Sequence, residues 1–363
     1  MLRVVITGAL GYVGSQLSSH LANCGYQCDV YDTGYFKDFS LYPPAKVNTI
    51  IKDVRDITLS ELDGVDVLVH LAGISNDPLK NLDGSVFYDH TRFYSLKLAL
   101  ICKKLGIRFI FASSCSVYGI GTSEFLQESS AVNPQTGYSL NKSQIEEDLT
   151  LITDSDFSPI CLRFATVFGI SPRMRFDLVI NMLVGMAMTK GEIVLNSDGQ
   201  AWRPSLYILD ACTAISSAIE LNYSAGEILV LNIGRNDSNL QIIDIAKMIQ
   251  RIIPGSSLKF LGHDGNLDTE ELVKDRKIKA GKDTRTYKVG FDKVSEIMPS
   301  FNCKWSVEEG IQEMVLNLSQ VGLTYETFKC RGFYRLQQLE DLYETGYLTS
   351  DLRWTNGIDE KSG

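Results

Sequence analysis

The chain has 363 residues, 44% of them hydrophobic and 22% charged, which is enough apolar side chain for a sizeable core and a length suited to about two domains. Its formal net charge of −9 excludes a general nucleic-acid binder, because such a protein displaces counterions with a basic face. An acidic chain can still hold an anionic ligand if a helix N-terminus or a few arginines are placed locally.

Met1 runs directly into Leu2-Arg3-Val4-Val5-Ile6, without a charged and apolar leader, and no apolar run is long enough for a bilayer span. The chain is therefore expected to be cytoplasmic, with no membrane partner. Residues 2–7 form a continuous apolar run, as in a strand buried on both faces. Residues 16–24 follow with helical spacing. Strands are expected at 28–32, 47–52, 65–70 (VDVLVH), 108–113 (RFIFAS) and 159–166, and helices at 93–105 and 138–150. This alternation predicts an α/β fold with a doubly wound parallel sheet.

The pattern changes after Gly169, where SPRMR breaks the alternation. A helix is expected at 178–189, a strand at 227–233 and a helix at 240–253. Residues 262–282 are charged and punctuated by glycine, as in a loop. Residues 1–170 are thus expected to form a first domain, with 202–233 returning to it. Residues 171–201 and 234–363 are expected to form a smaller domain. In the tail, Phe333, Leu336, Leu339 and Leu342 recur at helical spacing, followed by Leu352 and Trp354. A helix packed on the second domain is expected there. The eight cysteines are scattered, and beyond the near neighbours Cys24 and Cys28 no second pair completes a zinc site, so no metal is expected.

Thr7-Gly8-Ala9-Leu10-Gly11-Tyr12-Val13-Gly14 joins the first strand to the first helix. A tight turn whose backbone must approach a diphosphate needs glycine where a Cβ would collide, and the following helix N-terminus points donors at the phosphates. Asp32 ends the second strand about twenty residues on, where an acid bonds the adenosine ribose and repels a 2′-phosphate. NAD is therefore expected rather than NADP. As a turn residue in Asp-Thr-Gly it would instead bond its own backbone.

Tyr138 and Lys142 lie one helical turn apart, on one face. A phenol is a poor base at neutral pH, and a nearby cation lowers its pKa. Ser113, Ser114 and Ser116 follow the fifth strand, at the sheet edge where ligands bind in such folds. Any of the three hydroxyls can bond a reacting alcohol beside the tyrosine.

TGALGYVG, Asp32, Asp53-Val54, HLAG (70–73), SSCSVYG (113–119), YSLNK (138–142), LRFATVFG (162–169) and WRPSLYILD (202–210) occur in this order. Over roughly residues 1–315 this set resembles the extended short-chain dehydrogenase/reductase family, and within it the NAD-dependent nucleotide-sugar epimerase/dehydratase branch. The resemblance implies a Rossmann-type sheet with a smaller C-terminal substrate-binding domain. It implies Ser114, Tyr138 and Lys142 as catalytic residues. It places Gly8, Leu10, Gly11, Tyr12, Val13, Gly14, Asp32, Asp53, Val54, Leu71, Ala72, Gly73 and Ser113 beside the cofactor, together with Tyr138 and Lys142. Arg203 would grip the substrate diphosphate. Ser116, Arg175, Asp177, Asn181 and Arg285 are further candidates for substrate contact, and Asp283 lies in the same polar segment as Arg285.

The chain departs from that family where the sugar dehydratases carry an Asp-Glu pair, which is here Cys115-Ser116. Neither can act as the acid pair that removes water. Thr166 and Thr91 stand where many relatives carry Asn, and Tyr207 where many carry His. The expected reaction is epimerisation of a nucleotide-diphosphate sugar through a transient 4-keto sugar. A 4-dehydrogenase or ketoreductase without epimerisation uses the same residues. A non-catalytic relative is disfavoured by the intact Ser-Tyr-Lys set, and an NADP-type small-molecule reductase by Asp32 and Arg203. Helices 93–105 and 138–150 are expected to pair across a twofold axis in a homodimer.

Overall fold

The computed structural model describes residues 2–75, 84–260 and 285–355. The first half runs β1 (Arg3–Thr7), α1 (Tyr12–Asn23), β2 (Gln27–Asp32), β3 (Asn48–Ile51), β4 (Val67–His70), α2 (Gly84–Leu105) and β5 (Arg108–Ser114). It continues through β6 (Ile120–Leu126), α3 (Gly137–Ile152), β7 (Ile160–Phe164) and β8 (Thr166–Phe168). Then come α4 (Val179–Lys190), β9 (Glu192–Leu195), β10 (Trp202–Tyr207), α5 (Ile208–Glu220) and β11 (Leu229–Ile233). The remainder is β12 (Asn239–Gln241), α6 (Ile242–Ile252), β13 (Ser257–Phe260), β14 (Thr286–Val289), α7 (Asp292–Ile297), α8 (Val307–Gln320), α9 (Tyr325–Lys329) and α10 (Arg335–Glu344).

Seven of these strands form one parallel sheet in the order β11-β7-β5-β4-β1-β2-β3. Alternate side chains of β1 leave on opposite faces. Val4 and Ile6 pack with Leu17, Leu21, Ala211 and Ile215 of α1 and α5. Val5 packs with Leu98, Cys102, Ile145 and Leu149 of α2 and α3. A strand buried on both faces must be apolar throughout, which is why β1 reads as an unbroken run. The strand order reverses between β1 and β4, and the crevice at their carboxyl ends is where this fold binds ligands.

Residues 202–233 divide between two places. β11 joins the large sheet and α5 packs on α1, whereas β10 pairs with β8 and β12 in a separate three-stranded sheet. A second core gathers Phe176, Leu183, Ile193, Ile245 and Ile311. The expected loop at 262–282 and Asp283 lie outside the described residues.

The tail differs from expectation. Phe333 does join the second core, 5.8 Å from Phe176, but α10 turns away from it. Leu339, Leu348 and Leu352 pack on Phe36, with Tyr35, Ile74 and Trp354 around them. The physical reason is complementarity. The loop after β2 presents aromatic surface that needs a cover, and Arg353 finds Asp56 there at 2.6 and 3.0 Å.

Candidate active site

One cavity of about 600 Å3 is lined by the glycine loop, by the ends of β2, β4 and β5, by the start of α3 and by Arg175, Arg203 and Arg285. The loop can sit there only because it is glycine. Gly8 holds φ +77°, and a Cβ on it would lie 2.7 Å from the Ala72 nitrogen. A Cβ on Gly14 would lie 2.2 Å from the Gly8 oxygen. Both distances are well inside contact, so the turn presses its backbone against the end of β4.

Asp32 is buried, and both its oxygens already accept backbone N–H groups, Leu10 at 2.9 Å and Gly34 at 2.8 Å. Burial raises its pKa, while these two bonds and the charges of Arg335 and Arg173 work against that rise. The turn reading and the ligand-facing reading of Asp32 are thus compatible: the carboxylate holds the loop and lines the cavity. Leu10, expected beside the cofactor, donates its N–H to Asp32 and is absent from the lining of the cavity. Gly11, Tyr12, Val13, Val54, Leu71, Ala72, Gly73 and Ser113 all line it. Asp53 lines it too, with its carboxylate turned onto Arg55 at 2.6 and 3.0 Å.

Ser114, Tyr138 and Lys142 meet in the same cavity. The α3 N-terminus is set by a capping box, Thr136 with Ser139, and this aims Tyr138 at the end of β5. Ser114 lies close enough to the Tyr138 phenol to lower its pKa, while its own hydroxyl accepts the Ser116 N–H at 3.1 Å. Burial raises the phenol's pKa, and Ser114, Arg175 and Arg335 pull it back. Lys142 was expected to supply that pull. Instead its ammonium donates to Ala112 O at 2.6 Å and sits 4.4 Å from the Phe111 ring centre. Burial pushes Lys142 down to about 8, against the opposing charge of Glu146.

Cys115 turns inward. Its thiol donates to Arg163 O at 3.1 Å, and burial raises its pKa far above the usual thiol range, so it is a packing residue. Ser116 lines the cavity with a buried hydroxyl that makes no hydrogen bond. Arg175 is clamped by Asp177 through two 2.8 Å bonds. Arg203 donates to Trp202 O at 2.8 Å and to Arg285 O, which ties β10 to the start of β14. Asn181, expected as a substrate contact, is placed by the structure among backbone and side-chain partners. It is fully buried outside the cavity lining, and its amide serves Gly169 N, Arg175 O and Tyr12 Oη at 3.0, 3.0 and 3.2 Å. It holds the domain boundary together.

Sequence reasoning missed Arg335, Asp351 and Leu352, which line the cavity from the tail. Their signal in the chain is faint: an arginine ahead of a leucine repeat. Nothing local says which surface that repeat covers.

The model of the NAD dependent epimerase/dehydratase family matches residues 4–234. The chain belongs to this family, and its cofactor is NAD. The residues present fit that cofactor, since the loop leaves a cradle that a Cβ would fill and Ser116 holds an unused hydroxyl in the same cavity. The chain is 28% identical to an uncharacterized UDP-glucose epimerase of Bacillus subtilis, over 68% of this chain and 82% of that protein. It is 27% identical to a UDP-N-acetyl-alpha-D-glucosaminuronate decarboxylase of Bacillus cytotoxicus, over 70% and 81%. In fold it is similar to the UDP-glucuronic acid 4-epimerase from Bacillus cereus in complex with UDP-glucuronic acid and NAD. That likeness has a TM-score of 0.71 at 23% identity and covers 88% of this chain and 100% of that one. No helix among the described residues is long and apolar enough to cross a membrane, and no metal-binding cluster occurs among them.

Proposed function

We propose that this enzyme epimerises a nucleotide-diphosphate sugar at C4 through a transient 4-keto sugar. The observation that carries the reading is the meeting of Ser114 and Tyr138 in a cavity whose described lining offers no acid for dehydration beside them. Cys115 is turned away into the core and Ser116 is a neutral hydroxyl. The acids that do line the cavity are engaged elsewhere: Asp32 on Leu10 and Gly34, Asp53 on Arg55, Asp177 on Arg175 and Asp351 on Thr349.

Tyr138 takes the proton from the sugar hydroxyl as C4 is oxidised and gives it back on reduction. Ser114 holds the same oxygen by a hydrogen bond. The guanidiniums of Arg175 and Arg335 favour the phenolate. When bound, NAD would supply the hydride acceptor for C4 and the donor that reduces the ketone from its opposite face. Asp32 holds the adenosine ribose and disfavours a 2′-phosphate. Gly8, Gly11 and Gly14 with Tyr12 and Val13 cradle the cofactor diphosphate, and Asp53, Val54 and the segment Leu71, Ala72 and Gly73 line its flank. Ser113 is buried behind them, donating to Glu146. Arg203, with Arg285 beside it, grips the sugar nucleotide.

The test is to denature pure protein and quantify released nucleotide, then follow candidate sugar nucleotides in deuterated water by NMR. An epimerase retains NAD(H) and interconverts C4 epimers with no solvent deuterium on carbon. Deuterium at C3 or C5 indicates enolisation and overturns the reading. A ketosugar that accumulates in proportion to NADH identifies a 4-dehydrogenase instead.

Two further outcomes are expected. Arg203→Ala should raise KM for the sugar nucleotide by roughly 10- to 100-fold, the loss of a charge-assisted phosphate contact, and leave NAD affinity nearly unchanged. An unchanged KM removes Arg203 from the site. Burial holds Lys142 at a pKa of about 8. If its ammonium holds a cofactor hydroxyl, NAD binding favours the charged form, so affinity falls as the pH rises through that value. Calorimetry at pH 7 and pH 9 should show the fall, and Lys142→Met should abolish the pH dependence.

The homodimer is proposed through α2 and α3, which pack side by side and expose Phe93, Leu100, Leu140 and Leu151. A twofold axis would cover these apolar side chains.

A further inference from the structure

The family match ends at residue 234, yet the chain beyond it reaches back into the cavity. Residues 335–354 lie as a strap over the loop after β2. Gln338 donates to Tyr35 O at 3.2 Å and Trp354 donates its indole N–H to Thr33 O at 2.8 Å. Arg55 donates to Asp351 O at 2.8 Å and to Leu352 O at 3.3 Å, and the Tyr35 hydroxyl donates to the same Leu352 oxygen. Leu352 holds φ +57°, a conformation that a branched side chain adopts only where its surroundings impose it.

This strap delivers Arg335 to the cavity. One of its terminal nitrogens donates to Gly73 O at 2.9 Å and the other to Ser75 Oγ at 2.5 Å. Arg175 donates to the same Ser75 oxygen at 2.9 Å, so two guanidiniums converge on one hydroxyl. Their charges are not equally matched. Arg175 has Asp177 as a bidentate counter-ion. Arg335 forms no ion pair with a carboxylate among the described residues, and its buried Nε makes no hydrogen bond. Burial and Arg175 push its pKa down to about 10, against the more distant charges of Asp177 and Asp32. The same guanidinium lowers the pKa of both Asp32 and Tyr138, which line this cavity with it.

A planar fork with an unused N–H and no paired carboxylate among the described residues is complementary to a phosphate oxygen pair. A buried cation of this kind is favourable only when an anion arrives to match it. We propose that Arg335 is a diphosphate-binding residue of this active site, presented by a C-terminal strap beyond the stretch that the family model matches. The diphosphate is that of NAD or that of the sugar nucleotide. The second source rests on the proposed function, and the first does not.

Calorimetry on the full chain stripped of nucleotide, and on the NAD-loaded chain, separates these sources. The probes are NAD, adenosine and uridine diphosphate, and the variants are Arg335→Gln and Arg335→Lys. The expected result is that Arg335→Gln weakens NAD or uridine diphosphate on the order of 10- to 100-fold, while adenosine, which has no phosphate, binds as before. Whichever of the two weakens is the partner. Arg335→Lys keeps the charge but not the fork and should lose part of that affinity, and it decides the matter if the glutamine variant fails to fold. Unchanged affinity for both diphosphates overturns the proposal. So does an equal loss for adenosine and NAD, which would make Arg335 only an anchor of the strap. A wild-type chain that binds NAD but no uridine, thymidine or guanosine diphosphate overturns the nucleotide-sugar reading and leaves Arg335 to be decided by NAD alone.

Discussion

Tyr138→Phe is expected to lower turnover by roughly 100- to 10,000-fold, the usual worth of a positioned acid–base group, and to leave NAD affinity close to that of the wild-type chain. The substitution removes one oxygen from a ring whose body stays packed. The glycine cradle and Asp32 are untouched. The loss should fall on kcat and on kcat/KM alike, because proton transfer belongs to the transition state and not to binding. Single-turnover reduction of the bound cofactor by substrate gives the direct measurement. A rate within a few-fold of wild type would remove Tyr138 from the chemistry and leave Ser114 or an ordered water as the base.

The largest effect on stability is expected from Glu146→Ala. Glu146 on α3 and Arg163 on β7 form a buried ion pair, with Nη2 at 2.6 Å from one carboxylate oxygen and Nε at 3.0 Å from the other. Ser113 also donates to Glu146, and Arg163 bonds the Tyr118 hydroxyl at 2.9 Å. Removing the carboxylate leaves a guanidinium uncompensated inside the protein, which costs about 3–5 kcal/mol. The effect also reaches the active site. Glu146 supports the charge on Lys142, so its loss should drive the lysine further below its ordinary value and weaken NAD at neutral pH. Urea unfolding of the variant and of Glu146→Gln would show whether the loss follows the charge or the hydrogen bonds. A midpoint unchanged in Glu146→Ala would mean that Arg163 reaches water without its partner.

Much of the site was legible because its residues are tied to the chain by short-range rules. Glycine spacing after an apolar run, an acid at the end of the next strand, and a Tyr and Lys one helical turn apart each describe a local geometry. Leu10 and Asn181 show the limit of such rules. Both stand in segments that border the cavity, yet whether a residue there faces ligand or core depends on a rotation of the backbone that spacing does not encode. Leu10 turned out to serve through its N–H, and Asn181 as a clamp between Gly169, Arg175 and Tyr12. The pull of Lys142 on Tyr138 is a third case. The spacing brings the ammonium to 5.7 Å from the Tyr138 ring centre, but it donates to Ala112 O, and Arg175 and Arg335 also lower the phenol's pKa, which spacing does not encode.

By itself, then, the sequence determined the parallel sheet, the glycine turn and the Ser-Tyr-Lys set, since periodicity and steric need act over a few residues. Only the tertiary structure decided what the tail does. Phe333 and Leu339 belong to one amphipathic stretch, yet they pack in different cores. An apolar stripe specifies that a helix will be covered, but not by what. The choice between covering the second domain and covering the loop at Phe36 was made by the aromatic surface left open there and by Asp56 waiting for Arg353. That choice carries Arg335 across 262 positions of chain to Gly73, a contact that no local rule could place.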